Sequence, residues 1–399
     1  MDTVEFIAKY GVTRKQTDSL KWDALEERFG SADLLPLWVA DMEFKVPDGV
    51  TAALQERISH GVYGYSQIPA NYFPAFAAWQ KKRHGVLLQP EWLRFSRGVV
   101  ESLLHLVQIY SQEKEAVLIQ PPVYYPFANV VKLAGRRLVE SPLKQTATGY
   151  QMDLVDFEKK IQEEQVKIFI LCSPHNPVGR VWSAAELTAV LEICQKHDVL
   201  VIADEIHQDY ILQAEPFISV LKVADDAFLK NVIVVNAPSK TFNLASLLNG
   251  HILIPDDSLR RQFDRRIGRF SQSENSLLGL IAGAAAYETG EEWFDQLLTV
   301  IRQNYHYVAT TLTEACPQVK VGDLQGTYLL WIDLSQVCPS EKLETFIKDE
   351  CGLAVDFGSW FAKESGGFIR MNLATVPRNI EKAVAQLIQG IQKGVKEND

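Results

Sequence analysis

A lysine, an aspartate, an asparagine and a tyrosine each stand at or just past the end of a short apolar run in this 399-residue sequence. KIFILC (167–172) leads into Ser173-Pro-His-Asn176-Pro177, and VLVIAD (199–204) ends in Asp204-Glu205-Ile-His207. NVIVVN (231–236) leads into Ala237-Pro-Ser239-Lys240, and AVLIQ (116–120) into Pro121-Pro-Val-Tyr124-Tyr125. Singly these are ordinary: Asn-Pro is a common turn, an aspartate after a strand caps helices, and Ser-Lys is a loop dipeptide. Neighbouring parallel strands, however, open their carboxyl ends onto one crevice. There a lysine amine can condense with an aldehyde, and a carboxylate can keep a ring nitrogen protonated. An amide can donate to a ring oxygen, and an aromatic side chain can stack on a flat ligand. Ser96-Arg-Gly98-Val99-Val100-Glu101 adds a glycine turn ahead of an amphipathic run, where helix N–H groups would meet a phosphate. Those are the requirements of pyridoxal 5'-phosphate.

The elements that position these residues follow from the periodicity. The apolar runs, with HILI (251–254) as a fifth, are short, unbroken and rich in β-branched residues, as strands covered on both faces should be. Amphipathic stretches separate them; Ser183 to His197 opens with a capping box, Ser183-Ala-Ala-Glu186. Such alternation predicts an α/β fold with a doubly wound, mainly parallel sheet. After Gly290 the pattern changes to a long helix (291–313), YLLWIDL (328–334), a helix over 340–349, FIRMNLA (368–374) and a closing helix from Ile380 to Lys396. Residues 45–290 are thus expected as a large cofactor-binding domain. Residues 1–44 and 291–399 are expected as a smaller α+β domain, with the turn-rich segment 34–47 as an arm into the main body.

Composition narrows the function. Forty Lys plus Arg against fifty Asp plus Glu give a net charge of −10, which gives no reason to expect nucleic acid or an anionic membrane as partner. The arginines between 260 and 269 recur at helical spacing and read as a solvated helix face. No segment has the ~18 consecutive apolar residues that span a bilayer, and the first residues carry no signal-peptide pattern. Five scattered cysteines without a Cys-x-x-Cys pair predict reduced thiols, no metal site and a cytoplasmic protein.

The order Gly98-Val-Val, Tyr124, Asn176-Pro177, Asp204-Glu205, Ser239-Lys240 and Arg370 resembles fold-type I pyridoxal-phosphate enzymes of the class I/II aminotransferase group, over nearly the whole chain. LWVADMEF (37–44), SPHNPVGRVW (173–182), DEIHQD (204–209) and SKTFNLA (239–245) look most like its MalY/PatB branch of cystathionine β-lyases, or cysteine–sulfur lyases. The resemblance implies that Lys240 carries the cofactor as a Schiff base and moves the Cα proton. It implies that Asp204 holds the pyridine nitrogen, Asn176 the ring oxygen, and Tyr124 the ring face. Val99 and Val100 would bind phosphate through backbone N–H groups, with Ser239 contributing. Arg370, with Asn176 beside it, would grip the substrate carboxylate. Tyr65 would reach the phosphate of a neighbouring subunit, making a homodimer with shared active sites. The implied reaction is α,β-elimination of a small sulfur amino acid, cystathionine or cysteine, to pyruvate, ammonia and a thiol or hydrogen sulfide. An aminotransferase on the same fold is the alternative. The branch also contains proteins that bind a regulatory protein, though no segment here marks such a surface.

Three positions depart from the wider group. Leu248 stands where many aminotransferases carry a phosphate-binding arginine, Ala237 where they tend to carry a serine, and His207 where a tyrosine usually meets the ring oxygen. An imidazole at His207 can make the same hydrogen bond, so it joins the expected cofactor contacts. The Ser-x-x-Lys spacing of some hydrolases occurs twice, at Ser111–Lys114 and Ser219–Lys222, and reads as chance, since no Gly-x-Ser-x-Gly accompanies it.

Overall fold

Each apolar run that ends at a candidate residue forms a strand. The computed structural model describes residues 1–146, 149–224, 228–269 and 275–396. In it β1 (Leu93–Ser96), β2 (Ala116–Ile119), β3 (Arg137–Glu140), β4 (Val166–Cys172), β5 (Leu200–Asp204), β6 (Val232–Asn236) and β7 (Gly250–Leu253) make one sheet in the order β1-β7-β6-β5-β4-β2-β3. From β3 to β6 every pairing is parallel, while β7 lies antiparallel to both β6 and β1. The expected mainly parallel sheet is therefore present, with HILI in it but reversed. All residues of β2, β6 and β7 are buried, so no polar alternation marks them. The edge strands β1 and β3 are polar and partly exposed, so hydrophobic periodicity does not reveal them.

Register brings the candidate residues to one level. Cys172 pairs with Asp204 across β4 and β5, and Asp204 with Val235 across β5 and β6. The chain leaving each strand there begins a loop at the same sheet edge. Ser183 caps helix α1 (Ala184–Lys196) with the expected reciprocal box to Glu186.

The later part of the chain folds round an antiparallel sheet of β8 (Lys320–Val321), β9 (Leu329–Asp333), β10 (Asp356–Phe357) and β11 (Phe368–Asn372), ordered β8-β9-β11-β10. Helices α2 (Glu291–Ala315) and α3 (Pro377–Lys396) pack on each other beside it. The helix expected over 340–349 is a short turn, Leu343–Thr345, that widens into a π turn over Phe346–Glu350. The amino-terminal arm pairs Leu35 and Pro36 in parallel with Leu353 and Ala354.

Segment 37–44 of the arm is held from three directions. The Asn372 side chain donates to the Val39 and Asp41 carbonyls (2.6 and 2.8 Å), and the Asn243 side chain to those of Met42 and Phe44 (both 3.1 Å). Beneath it, fully buried Lys21 pairs with Glu43 at 3.0 Å, and the Trp22 indole N–H donates to the same carboxylate at 3.0 Å. A buried lysine persists only with such a partner.

Gly250, the first residue of β7, has no room for a side chain because the glycine turn preceding Val99 packs directly on it. A Cβ at Gly250 would lie 2.6 Å from Ser96 Oγ and 2.9 Å from Gly98 Cα, both on the wall of that turn. Gly250→Ala should therefore cost about 1–3 kcal/mol through overpacking, measured by denaturant unfolding; unchanged stability would mean that the turn has room to move.

Candidate active site

Where the loops leave the sheet edge, they enclose a cavity of about 380 Å³. Val99, Val100, Tyr124, Asn176, Asp204, His207, Ser239 and Lys240 all line it, with Ala40, Cys172, Leu248 and Asn249. Every cofactor contact expected within one chain is thus brought together. Arg370 adjoins the group through a 2.8 Å hydrogen bond from Nη1 to Asn176 Oδ1. Tyr65 is not part of it; the residue is 97% exposed. The Ser-x-x-Lys serines are engaged elsewhere, Ser111 donating to the Val107 carbonyl and Ser219 to Glu205.

Lys240 sits in a four-residue helical turn, Pro238–Thr241, directly after β6. Its Nζ donates to the Ala40 carbonyl at 2.6 Å, and the Tyr328 hydroxyl donates to the same oxygen at 2.9 Å. Burial lowers the amine to about 8, against the opposing pull of the Asp41 carboxylate. An amine tuned this way is a usable base near neutral pH.

Asp204 ends β5 and accepts the Ile206 N–H at 3.0 Å. Burial raises its carboxyl to about 7, with that N–H and Lys240 opposing the shift. A carboxyl shifted this far by burial, on the wall of a cavity, is a candidate functional group. His207 is buried and neutral, because desolvation pushes its imidazolium well below the usual value. Among the described residues its Nδ1 has no hydrogen-bond partner. Tyr124 donates its own backbone N–H to the Asn176 carbonyl at 3.0 Å, and burial lifts its phenol to about 12.

The glycine turn opens the helix Val99–Tyr110, whose N-cap, Gly98, supplies no side-chain capping bond. Val99 and Val100, at the helix start where N–H groups lack an intrahelical partner, line the cavity. The cavity is thus lined by a helix start suited to an anion, by an amine and a carboxyl, and by an imidazole whose Nδ1 is unpartnered among the described residues. Those features fit a flat phosphorylated aldehyde such as pyridoxal phosphate.

Arg370 opposes Asp356 in the β10–β11 register, and the two form a buried ion pair in which Nη2 donates to Oδ2. Burial raises the Asp356 carboxyl while the guanidinium pulls it back. Arg370 also lies over the Phe361 ring at 4.9 Å, and its Nε is without a partner among the described residues. Asp356 did not emerge from the motifs. Its signal was indirect: an arginine inside an apolar strand requires a buried acid, and LAVDFG (353–358) supplies one. Ala40 gave no signal, because it acts through its backbone carbonyl.

The Aminotransferase class I and II family model matches residues 32–387, and the chain belongs to that family. It is 36% identical over 379 residues to the cystathionine beta-lyase PatB of Bacillus subtilis (strain 168), covering 94% of this chain and 98% of that protein. Among solved structures, a PLP-bound putative aminotransferase of Clostridium difficile 630 superposes with a TM-score of 0.93 at 36% identity, covering 96% of this chain and 99% of that one. Cystalysin of Treponema denticola, whose structure contains a pyridoxal 5'-phosphate cofactor, does so with a TM-score of 0.91 at 31% identity, covering 97% and 98%. The fold is fold type I of the pyridoxal-phosphate enzymes, as the motif order implied.

The raised Asp204 carboxyl has a consequence for stability. Between its usual 3.8 and about 7, the folded ligand-free chain keeps a proton that the unfolded chain has lost. Stability from this group is therefore greatest at low pH and falls as pH rises through that window. Denaturant unfolding of the ligand-free chain at pH 5 and pH 8 should show a larger loss for wild type than for Asp204→Asn. Equal losses would remove Asp204 as the cause; Glu205, which burial lifts to about 8, titrates in both proteins.

Proposed function

We propose that the chain is a pyridoxal-phosphate-dependent carbon–sulfur β-lyase acting on cystathionine and cysteine. The observation that carries this reading is the convergence of Lys240, Asp204, Asn176, Tyr124 and the Val99 helix start on one cavity, in a chain so similar to a cystathionine β-lyase along its length. Bound there, the cofactor supplies an aldehyde that an amine can hold and a cationic ring that takes up an electron pair. Lys240 would hold it covalently, Asp204 would pair with its ring nitrogen, and Asn176 and His207 would donate to its ring oxygen. Tyr124 would cover the ring, while Val99, Val100 and Ser239 would bind the phosphate.

The protein's own part in the reaction is binding, orientation and one proton. Arg370 forms a charge-assisted contact with the substrate carboxylate through its planar fork. Asp356 and Asn176 fix that fork, so the Cα–H bond is presented toward Lys240. The freed Nζ takes the Cα proton and passes it to the departing sulfur. The β-sulfur leaves as a thiolate, which a thiol pKa near ~8.5 makes far easier than loss of an alkoxide. The remaining three-carbon enamine takes up water and yields pyruvate and ammonia. Cystathionine releases homocysteine, and cysteine releases hydrogen sulfide.

The reading includes a homodimer in which Tyr65 of a second copy completes the phosphate site. The exposure of Val62, Tyr63, Tyr65 and Ile68 in one stretch, and of Val100 and Leu248 at the cavity mouth, supports it. A monomeric mass by sedimentation of the active enzyme would contradict it. We place residues 45–290 as the cofactor-binding domain and 1–44 with 291–399 as the smaller one. Among the described residues no helix is long and apolar enough to cross a membrane, and all five cysteines are unpaired; we assign the enzyme to the cytoplasm.

Incubation of the loaded enzyme with cystathionine should release pyruvate and homocysteine in equal amounts over many turnovers. An oxo acid formed once per site, continuing only when a second oxo acid is added, would instead indicate an aminotransferase. Lys240→Ala should abolish turnover. Arg370→Ala should lose about 1.5–3 kcal/mol of transition-state binding, or roughly 10- to 100-fold in kcat/KM, with the cofactor spectrum unchanged. Because that variant also strands Asp356, Arg370→Lys is the control; it should recover part of the rate, since a point charge cannot reproduce the fork. Wild-type kcat/KM in both would remove Arg370 from the site.

A further inference from the structure

Behind the Lys240 turn lies a carboxylate that no step above uses. Asp209, in the loop after β5, has a side chain only 2% exposed. Its Oδ1 accepts the indole N–H of Trp79 at 2.9 Å and bonds to Nε2 of His84 at 2.8 Å. Its Oδ2 accepts the Thr241 hydroxyl at 2.6 Å, and Thr241 directly follows the lysine. Tyr210, the next residue in the loop, donates its hydroxyl to the carbonyls of Lys240 (2.8 Å) and Thr241 (3.2 Å). Two adjacent loop residues thus grip the backbone and side chain of two adjacent turn residues.

The far side of this grip is rigid. Trp79 and His84 belong to the helix Tyr72–His84, and both are buried. Trp79 is packed edge-on against Phe242 at 5.1 Å and Phe294 at 6.1 Å, and His84 edge-on against Phe217 at 5.5 Å. Burial pushes the Asp209 carboxyl up, yet the bonds from His84, Thr241 and Trp79 more than offset this and hold it below its usual range. A dry carboxylate with donors on both oxygens cannot rotate without leaving one of them unpaired.

We propose that Asp209 is a positioning residue for Lys240: through Thr241 it fixes the turn that carries the amine to the helix bearing Trp79 and His84, and so sets the line along which Nζ meets the substrate Cα proton. The inference rests on the reading of Lys240 as the proton-carrying, cofactor-holding amine. A misplacement of about 1 Å at a reacting atom can cost on the order of 100-fold in rate. Loss of the anchor therefore acts on kcat, while Arg370, on a separate sheet, continues to bind the carboxylate.

Thr241→Val keeps the shape of the buried side chain and removes only the hydroxyl. In the cofactor-loaded enzyme it should lower kcat roughly 10- to 100-fold, leave KM within about twofold and change the visible circular dichroism of the bound cofactor. Thr241→Ser should regain most of the lost rate. Asp209→Asn, which keeps the volume but loses the charge, should show the same split between kcat and KM. A purely structural role predicts a lower unfolding temperature with wild-type kcat per folded, loaded site and unaltered dichroism; that result would overturn the proposal. Lys240→Ala run in parallel separates the two readings: if it retains turnover, the underlying assignment fails, whereas its inactivity beside a normal Thr241→Val removes only the positioning role.

Discussion

In the ligand-free chain one hydrogen bond, 2.6 Å long, holds the Lys240 amine at the carbonyl of Ala40 and so seats it in the cavity. It joins residues two hundred positions apart, and much of the arm is arranged to hold that carbonyl still. The Asn372 and Asn243 side chains take the carbonyls on either side of it, and Leu37 is tied to the smaller sheet by a 2.8 Å bond from the Asn372 N–H to its carbonyl. Lys21 and Glu43, both buried, brace the segment from beneath. A polar group left unpaired in so dry a place would cost about 1–3 kcal/mol. Position and polarity of the amine are therefore fixed by the same contacts.

Burial without full compensation is what gives the site its chemistry. The dry floor lowers the Lys240 amine and raises the Asp204 carboxyl, so each is driven toward its neutral form. A ligand carrying an aldehyde and a protonatable ring nitrogen relieves both at once. Arg370 and Asp356 solve the opposite problem: as a register pair on adjacent strands they neutralise each other, and the bond to Asn176 ties them to the cavity wall. The residue proposed for the substrate carboxylate is thereby linked to one proposed for the cofactor.

The sheet and most of the site were legible because strand ends in a parallel sheet must converge, so runs such as KIFILC and NVIVVN predicted both their own burial and the place of Asn176 and Lys240. Val99 and Val100 were legible as a helix start, and Arg370 through its motif. Three features escaped for physical reasons. β1 and β3 are edge strands whose polar residues carry no burial signal. The helix expected over 340–349 has suitable periodicity, but periodicity alone does not distinguish the π turn found over Phe346–Glu350. Ala40, Asp356 and Asp209 act through contacts made only when distant segments meet, and Ala40 itself has no side chain that could announce a role. Tyr65 is a different case, since one chain leaves it in the open.

The central claim is that one amine, Lys240 Nζ, carries the cofactor. Reduction of the loaded enzyme with borohydride makes such a linkage permanent, and peptide mapping by mass spectrometry then locates it. The account predicts a pyridoxyl phosphate adduct on the peptide containing Lys240, at about one per chain. An adduct on another lysine, or none on a fully loaded protein, would contradict it.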